Sequence, residues 1–445
     1  MGTTGSLLVL PIWDDVLDEL ALNRASPTIA ALSLTCRSLR LPSQRALFRS
    51  LTFTGRLYSG KPGTSREVIE NLRSDSNSRL RGYVRRVTLC SWLPTRSWVY
   101  ANEAYQEPEE SKQLKLTLQE VLLLLEHLPH LLSLRLFNVL LETHTLERLS
   151  AKLLNLTNVE VGYCEWSSDN PPEDAMSVTP HAVKDVRIRY CVPSGGCTSP
   201  GGRIQIPAIL HMARALIQPG QIERLFMLAY YGMEELILQL VSSKSHFPRL
   251  VSLALICPPA SSSSDIILLL RRCPALEELI IDRRDYPNRR VQWRGPDQKD
   301  ERDSIASNSR AFEAVTFVPN GFLPALKAFT GSLDEAVAIL KLPERRVERL
   351  EVHRTFQCPT HEPLPKEAID ELMDALEMTS LESRNHVLEL KCIDLRWDEH
   401  EWWSTHDAEQ DAARKVSKAP QRARTVFPNL QTFAYSGPIV HTDSE

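Results

Sequence analysis

The spacing of apolar positions divides the chain into two kinds of segment. Residues 7 to 53, LLVLPIWDDVLDELALNRASPTIAALSLTCRSLRLPSQRALFRSLTF, carry helical spacing. Ile12, Val16, Leu17 and Leu20 fall on one face of a first helix, with Asp14, Asp15, Asp18 and Glu19 opposite. Pro11 suits the first turn, where its missing N–H costs nothing, and the early acids suit the helix dipole. Ser26 offers an N-cap with Pro27 at the first helical position, and Ile29, Leu32, Leu34 and Cys36 form a second apolar stripe. Pro42 predicts a break, Ser43 to Phe48 a short third helix, and Leu51 to Phe53 an extended exit.

Beyond residue 53 a different pattern recurs: apolar, two variable positions, apolar, one variable position, apolar. It reads Val84-Val87-Leu89, Leu131-Leu134-Leu136, Leu156-Val159-Val161, Val183-Val186-Ile188, Ile222-Leu225-Met227, Leu250-Leu253-Leu255 and Leu276-Leu279-Ile281. Later copies are Val347-Leu350-Val352 and Leu430-Phe433-Tyr435, with poorer ones at Leu326 and Val387. The spacing is 25 from Leu131 to Leu156, 27 on to Val183, 28 from Ile222 to Leu250 and 26 on to Leu276. Repeats of about 20–29 residues characterise leucine-rich repeats. The longer gaps imply a missed repeat or an insertion. The last two apolar positions alternate as a half-buried strand requires. Apolar stretches of helical length precede several copies, at Leu116 to Leu128, Ile206 to Ile217, Leu236 to Val241 and Ile266 to Leu270. Five copies share a preface: Leu128-Pro129-His130-Leu131, Phe247-Pro248-Arg249-Leu250, Cys273-Pro274-Ala275-Leu276, Leu323-Pro324-Ala325-Leu326 and Phe427-Pro428-Asn429-Leu430. Proline stops the helix there and the leucine begins the strand.

The first segment resembles the F-box, in the form common in large fungal families. The matching elements are Leu10-Pro11, Ile12 to Leu20, Ala31-Leu32-Ser33-Leu34-Thr35-Cys36-Arg37 and Leu47-Phe48-Arg49-Ser50. One departure stands out: Pro11 runs straight into Ile12, where F-boxes usually carry one or two extra residues. The repeats resemble the irregular leucine-rich repeats that follow the F-box in many fungal proteins. The expected fold is therefore α/β. A short three-helix F-box-like module, 7–53, precedes an irregular leucine-rich-repeat solenoid, 54–440, a horseshoe with a parallel sheet and outer helices. The resemblance implies a non-catalytic substrate-recognition subunit of a Skp-cullin-F-box ubiquitin ligase. The module would dock a Skp-type adaptor joined to the cullin ligase core, and the repeats would hold an unknown substrate protein. Leu10, Pro11, Ile12, Val16, Leu17, Leu32, Leu34, Cys36 and Leu47 are the expected adaptor contacts, some of which must form the module's own core. The alternative is a repeat scaffold for protein interactions with no ligase role.

Composition narrows the setting. The 445 residues are 42% hydrophobic and 24% charged, as in soluble globular proteins. A net charge of −4, from 52 basic and 56 acidic residues, is not that of a dedicated nucleic-acid binder. Apolar runs such as Val121 to Leu125 are too short to span a bilayer, so no membrane partner is expected. Leu7 to Leu10 lacks the basic region of a secretory signal, and the nine scattered cysteines form no disulfide framework. A reducing interior, cytoplasmic or nuclear, is the expected location. In that compartment the Asn155-Leu156-Thr157 sequon would stay unmodified. Met1-Gly2 with Ser6 matches the myristoylation pattern, but no polybasic segment follows to make an anchor.

No motif points to catalysis. The glycines at 195–196 and 201–202 lack the Gly-Lys-Ser/Thr of a phosphate cradle. Cys191 with Cys197, and His353 with Cys358 and His361, are incomplete zinc sets, so no metal or cofactor is expected. His400 and His406 among acids read as a solvated face, and no Ser/His/Asp arrangement or nucleophile motif of a hydrolase stands out among the twelve histidines. Two charged segments, 283–311 and 398–424, read as insertions. Trp397, Trp402 and Trp403, three of eight tryptophans, are expected to cap the last repeat or anchor a partner, and Trp293 to contact a partner or fold its loop back.

Overall fold

The computed structural model describes residues 16–17, 20, 26–35, 37–55, 64–74, 77–92, 109–141, 152–162, 164–166, 183–189, 192–193, 216–228, 237–238, 240–241, 246–256, 263–282, 323–331, 335–336, 339, 347–353, 374, 392–396, 421, 423–425 and 430–436. The chain divides into two compact units, Met1–Gln218 and Pro219–Glu445. Both are α/β and both are built on parallel strands.

The first unit opens with helices α1 (Ser26–Thr35) and α2 (Arg37–Arg49), which pack on each other. Helix α1 begins at Ser26, with Pro27 in its first turn. The expected break at Pro42 is absent: Pro42 lies inside α2, and the short third helix at 43–48 is the second half of that helix. An interior proline costs a helix about 3 kcal/mol. Here the Pro42 ring is buried, as is its neighbour Ser43, so packing offsets the lost hydrogen bond. Of the first expected helix, only residues 16, 17 and 20 are described, all helical.

Strand β1 (Ser50–Thr54) follows α2 directly and pairs in parallel with β2 (Arg86–Trp92). The expected extended exit is thus the first strand of a sheet. The order continues through β3 (Ser133–Leu141), β4 (Asn158–Gly162) and β6 (Asp185–Arg189). Two short strands, β5 (Glu165–Trp166) and β7 (Val192–Pro193), extend β3 as a small side sheet. Helices α3 (Thr64–Arg73), α4 (Ser78–Arg81) and α5 (Glu109–Leu125) occupy the crossovers. The inward positions stack in register: Leu51, Val87, Leu134, Val159 and Val186 in one row, Phe53, Leu89, Leu136, Val161 and Ile188 in the next. Apart from half-buried Leu51, all of these are buried. These are the second and third apolar positions of the repeat, so the sequence pattern and the core coincide.

The second unit repeats the scheme with β8 (Arg224–Leu228), β9 (Ser252–Ile256), β10 (Glu278–Asp282), β11 (Ala328–Gly331), β12 (Arg349–His353), β13 (Cys392–Arg396) and β14 (Thr432–Ser436). Consecutive strands pair in parallel throughout. Helix α6 (Ser263–Leu270) lies in the crossover to β10. Because β10 pairs with β11, and β12 with β13, the long gaps between them are insertions rather than missed repeats. The copy placed at Val387 is corrected: the strand is Cys392–Arg396, with Ile393 and Leu395 at the inward register positions. Apolar residues at 387, 388, 390, 392, 393 and 395 allow two phases. Pairing with Leu350 and Val352 on one side and Phe433 and Tyr435 on the other selects the later one.

The shared preface is a β-turn. The Leu131 N–H donates to the Leu128 carbonyl at 3.3 Å, Leu250 to Phe247 at 3.3 Å, Leu276 to Cys273 at 3.2 Å and Leu326 to Leu323 at 3.2 Å. The first and last side chains of each turn are buried and the proline is exposed. Proline at the second position presets the turn's φ. Just after the turn, two successive N–H groups share one carbonyl of the preceding strand. Leu132 and Ser133 donate to Arg85, Thr157 and Asn158 to Leu132, Lys184 and Asp185 to Thr157. In the second unit, Glu223, Val251, Glu277 and Lys327 accept in the same way. This recurring use of both carbonyl lone pairs satisfies the backbone where helix geometry has ended and strand pairing begins. It also gives these seven strands the same starting register.

Candidate interaction surfaces

The N-terminal helices and the outward faces of the strands are the two candidate surfaces. Among the expected adaptor contacts, Leu17 is 1% exposed and belongs to the packed interior. Val16 is 39% exposed and Leu34 is 87% exposed. Leu32 and Leu47 are half-buried. Leu10, Pro11, Ile12 and Cys36 lie outside the described residues, as do Trp293, Trp397, Trp402 and Trp403. Leu34 departs from the expected second stripe because α1 ends beside it. The last turn is held by local bonds, from the Ser33 hydroxyl to the Ala30 carbonyl at 2.6 Å and from Thr35 to Leu32 at 2.8 Å.

The helices are joined to the first strands rather than hanging free. The Arg49 carbonyl accepts from the Arg85 N–H at 2.9 Å. The Arg45 guanidinium sits 5.7 Å from the centroid of the Tyr83 ring, whose hydroxyl accepts from Arg79 Nε at 2.8 Å. Trp92, which stands at no repeat position of the sequence, is 2% exposed and donates from Nε1 to the Phe53 carbonyl at 3.2 Å. A Cβ on Gly55 would lie 2.6 Å from the Trp92 ring, so only glycine allows the chain to leave β1 beside that ring.

On the outward face of the first unit, residues 25 to 29 apart in sequence come together as a charged row. Arg135 on β3 reaches Glu160 on β4, Nε to Oε2 at 3.2 Å. Arg189 on β6 takes the other oxygen of Glu160, Nε to Oε1 at 3.0 Å. Glu160 is thus clamped between two arginines, with 9% of its side chain exposed against 55% for Arg135 and 34% for Arg189. Arg187 pairs with Asp185 on its own strand, Nε to Oδ1 at 3.3 Å. The Asp185 hydrogen bond, reinforced by the charges of Asp185 and Glu160, raises the pKa of Arg187 above its ordinary value despite partial burial. Phe137 lies in the next row, in register with Gly162 and Arg189, its ring over Gly162, where a Cβ would come within 2.7 Å of Cε1. The sequence signal for this cluster was present in the variable position between the last two apolar residues: Thr52, Thr88, Arg135, Glu160 and Arg187, in strand order.

The outward face of the second unit has a different character. Phe226, Ala254 and Ile280 are in register, followed by Thr330 and Glu351. Ser252 donates to Glu278 at 2.7 Å, and Arg349 pairs with Glu351 at 3.4 Å. This face begins apolar and turns acidic.

Among the described residues, no group of three or more His, Cys, Asp or Glu is placed to hold a metal ion. His353 ends β12, while Cys358, His361, Cys191, Cys197, His400 and His406 lie outside the described residues. No described helix is long and apolar enough to cross a membrane. Burial pushes the Cys273 thiol up to about 12, with a nearby Arg272 opposing, so at neutral pH it is an unreactive core group.

No family model and no curated protein matches the chain. Among solved structures, the crystal structure of the Rad7 and Elc1 complex in yeast aligns with 93% of this chain and 100% of that one, at 14% identity and a TM-score of 0.32. A likeness of that size assigns neither a family nor a function.

Proposed function

We propose that this chain is a non-catalytic substrate-recognition subunit of a Skp-cullin-F-box ubiquitin ligase, working in the cytoplasm or nucleus. The N-terminal helices dock a Skp-type adaptor, and the outward strand faces hold the substrate protein. The observation that favours this reading most is Leu34, an 87% exposed leucine within the Ala-Leu-Ser-Leu-x-Cys-Arg element. Fully burying a leucine contributes about 1.5–3 kcal/mol, and in this unit Leu34 and Val16 leave that gain available to a partner. Such a subunit makes no bonds. It raises the effective concentration of substrate lysines near the transferring enzyme.

A second reading, a repeat scaffold without a ligase, is favoured by β1: the F-box-like segment ends as a strand of the sheet, so its second helix runs directly into the repeat fold. Co-purification of adaptor and cullin separates the two. The wild-type chain captures both under the ligase reading and neither under the scaffold reading. Leu34→Asp abolishes adaptor capture without lowering the melting temperature, because Leu34 contributes little to the interior. Leu10→Ala with Pro11→Ala has the same effect on capture. Full capture by both variants would refute these contact assignments.

A further inference from the structure

The outward face of the first unit carries more positive charge than its own carboxylates neutralise. Its strand positions hold Arg86, Arg135, Arg187 and Arg189 against Glu160 and Asp185. That surplus sits in a chain whose net charge is −4. Half-exposed ion pairs contribute only about 0–1 kcal/mol each, too little for stability alone to account for the row. Their geometric effect is larger. The ion pair with Glu160, Nε to Oε2 at 3.2 Å, tethers Arg135 while 55% of its side chain stays exposed. Arg86 is exposed and makes no ion pair or side-chain hydrogen bond among the described residues.

We infer that this face is a docking surface for an acidic peptide segment of the partner protein, recognised by Arg86 and Arg135 with Arg187 beside them. The inference deepens the substrate-binding half of the proposed function and rests on it. An arginine fork accepts a carboxylate through two parallel N–H bonds, and a guanidinium already tethered by a neighbour loses less entropy on doing so. Phe137, half-buried over Gly162, adds an apolar surface one row beyond Arg135 and Arg187, in register with Arg189. Strands lie about 4.8 Å apart and residues rise about 3.3 Å along them, so Arg86 on β2 and Arg187, three strands and two register positions away on β6, are separated by about 16 Å, the reach of about five extended residues. The matching segment is short and extended, with carboxylates about five positions apart. Nucleic acid is the other polyanion, and the acidic net charge disfavours it.

The test uses the full chain and a fluorescein-labelled hexaglutamate peptide, with hexalysine and a ten-nucleotide oligothymidylate as competitors, read by fluorescence anisotropy. Hexaglutamate binds, and its affinity falls several-fold between about 50 and about 300 mM salt. Arg86→Gln with Arg135→Gln weakens it about tenfold or more with an unchanged melting temperature, since both side chains are exposed and Glu160 keeps Arg189. Arg349→Gln, on the other unit, leaves it unchanged. Absence of hexaglutamate binding, equal binding by the double variant, or tighter binding of the oligothymidylate each overturns the inference. Adaptor capture is measured in parallel. Its loss from the wild type with hexaglutamate binding retained overturns the ligase reading and supports the acidic site. Capture without hexaglutamate binding overturns the acidic site alone.

Discussion

Gly331→Val tests whether the repeat core is packed as matched pairs of side chains. In β10 and β12 the two inward positions are Leu279 with Ile281 and Leu350 with Val352. In β11 they are Phe329 and Gly331, and Phe329 is 0% exposed. A Cβ on Gly331 would lie 2.4 Å from Phe329 Cζ, 2.9 Å from its Cε1 and 2.9 Å from an oxygen of Glu335. The phenylalanine ring therefore occupies the space that the second side chain fills in neighbouring strands. Valine at 331 restores the apolar third position of this chain's own repeat and gains about 0.4–1 kcal/mol by restricting the unfolded chain. Overpacking a full core costs about 1–3 kcal/mol, so the clash wins and the variant is destabilised.

Phe329→Leu alone also destabilises, by opening a void beside Gly331. Together the two changes recreate the leucine–valine pair of β12, so the double variant recovers most of the stability. The expected interaction energy in the cycle is about 1–3 kcal/mol. Thermal melting of all four chains reads it, at about 2–4 °C per kcal/mol for a unit of this size. Stability of Gly331→Val equal to wild type, or additive losses in the double variant, would refute the matched-pair account.

Two further outcomes follow from buried polar groups. The Cys273 thiol is held up at about 12, whereas an unfolded thiol ionises near 8.5. The native protein therefore binds this proton more tightly, its contribution is fully present below about pH 8.5, and it is lost as pH rises towards 12. Cys273→Ala should flatten that alkaline loss in melting curves recorded from pH 8 to 11, and native Cys273 should resist iodoacetamide until the chain unfolds. The Ser43 hydroxyl is fully buried in α2 with no hydrogen-bond partner among the described residues. Ser43→Ala removes an unpaid desolvation and improves helix propensity, so it should stabilise by about 1 kcal/mol; a loss of melting temperature would reveal a partner for that hydroxyl.

What the sequence made legible is what recurs. Leu134, Val159, Val186 and their counterparts repeat at fixed spacing because each strand must bury the same face against the same neighbours. The prolines of the shared preface are equally readable, since a helix cannot continue through them and the turn prefers them. Single departures were not. Pro42 carries the local signature of a break, yet burial of its ring keeps α2 whole. At β13 two overlapping phases are locally equivalent, and only pairing with Leu350 and Phe433 chooses between them.

The outward face shows why the interaction surface is harder to read than the core. An inward position has one requirement, an apolar side chain, and every strand imposes it independently. An outward position has a requirement only in relation to the strand on either side. Arg135 on its own reads as a solvated charge; beside Glu160, and with Arg189 on the other oxygen, it becomes part of an ion-paired cluster. That relation becomes visible once the copies are aligned on their buried positions and the variable column is read across strands. The core pattern thus supplies the register in which the surface chemistry can be read. The same register separates the arginine row of the first unit from the Phe226-Ala254-Ile280 row of the second, which share a repeat but offer opposite chemistry to a partner.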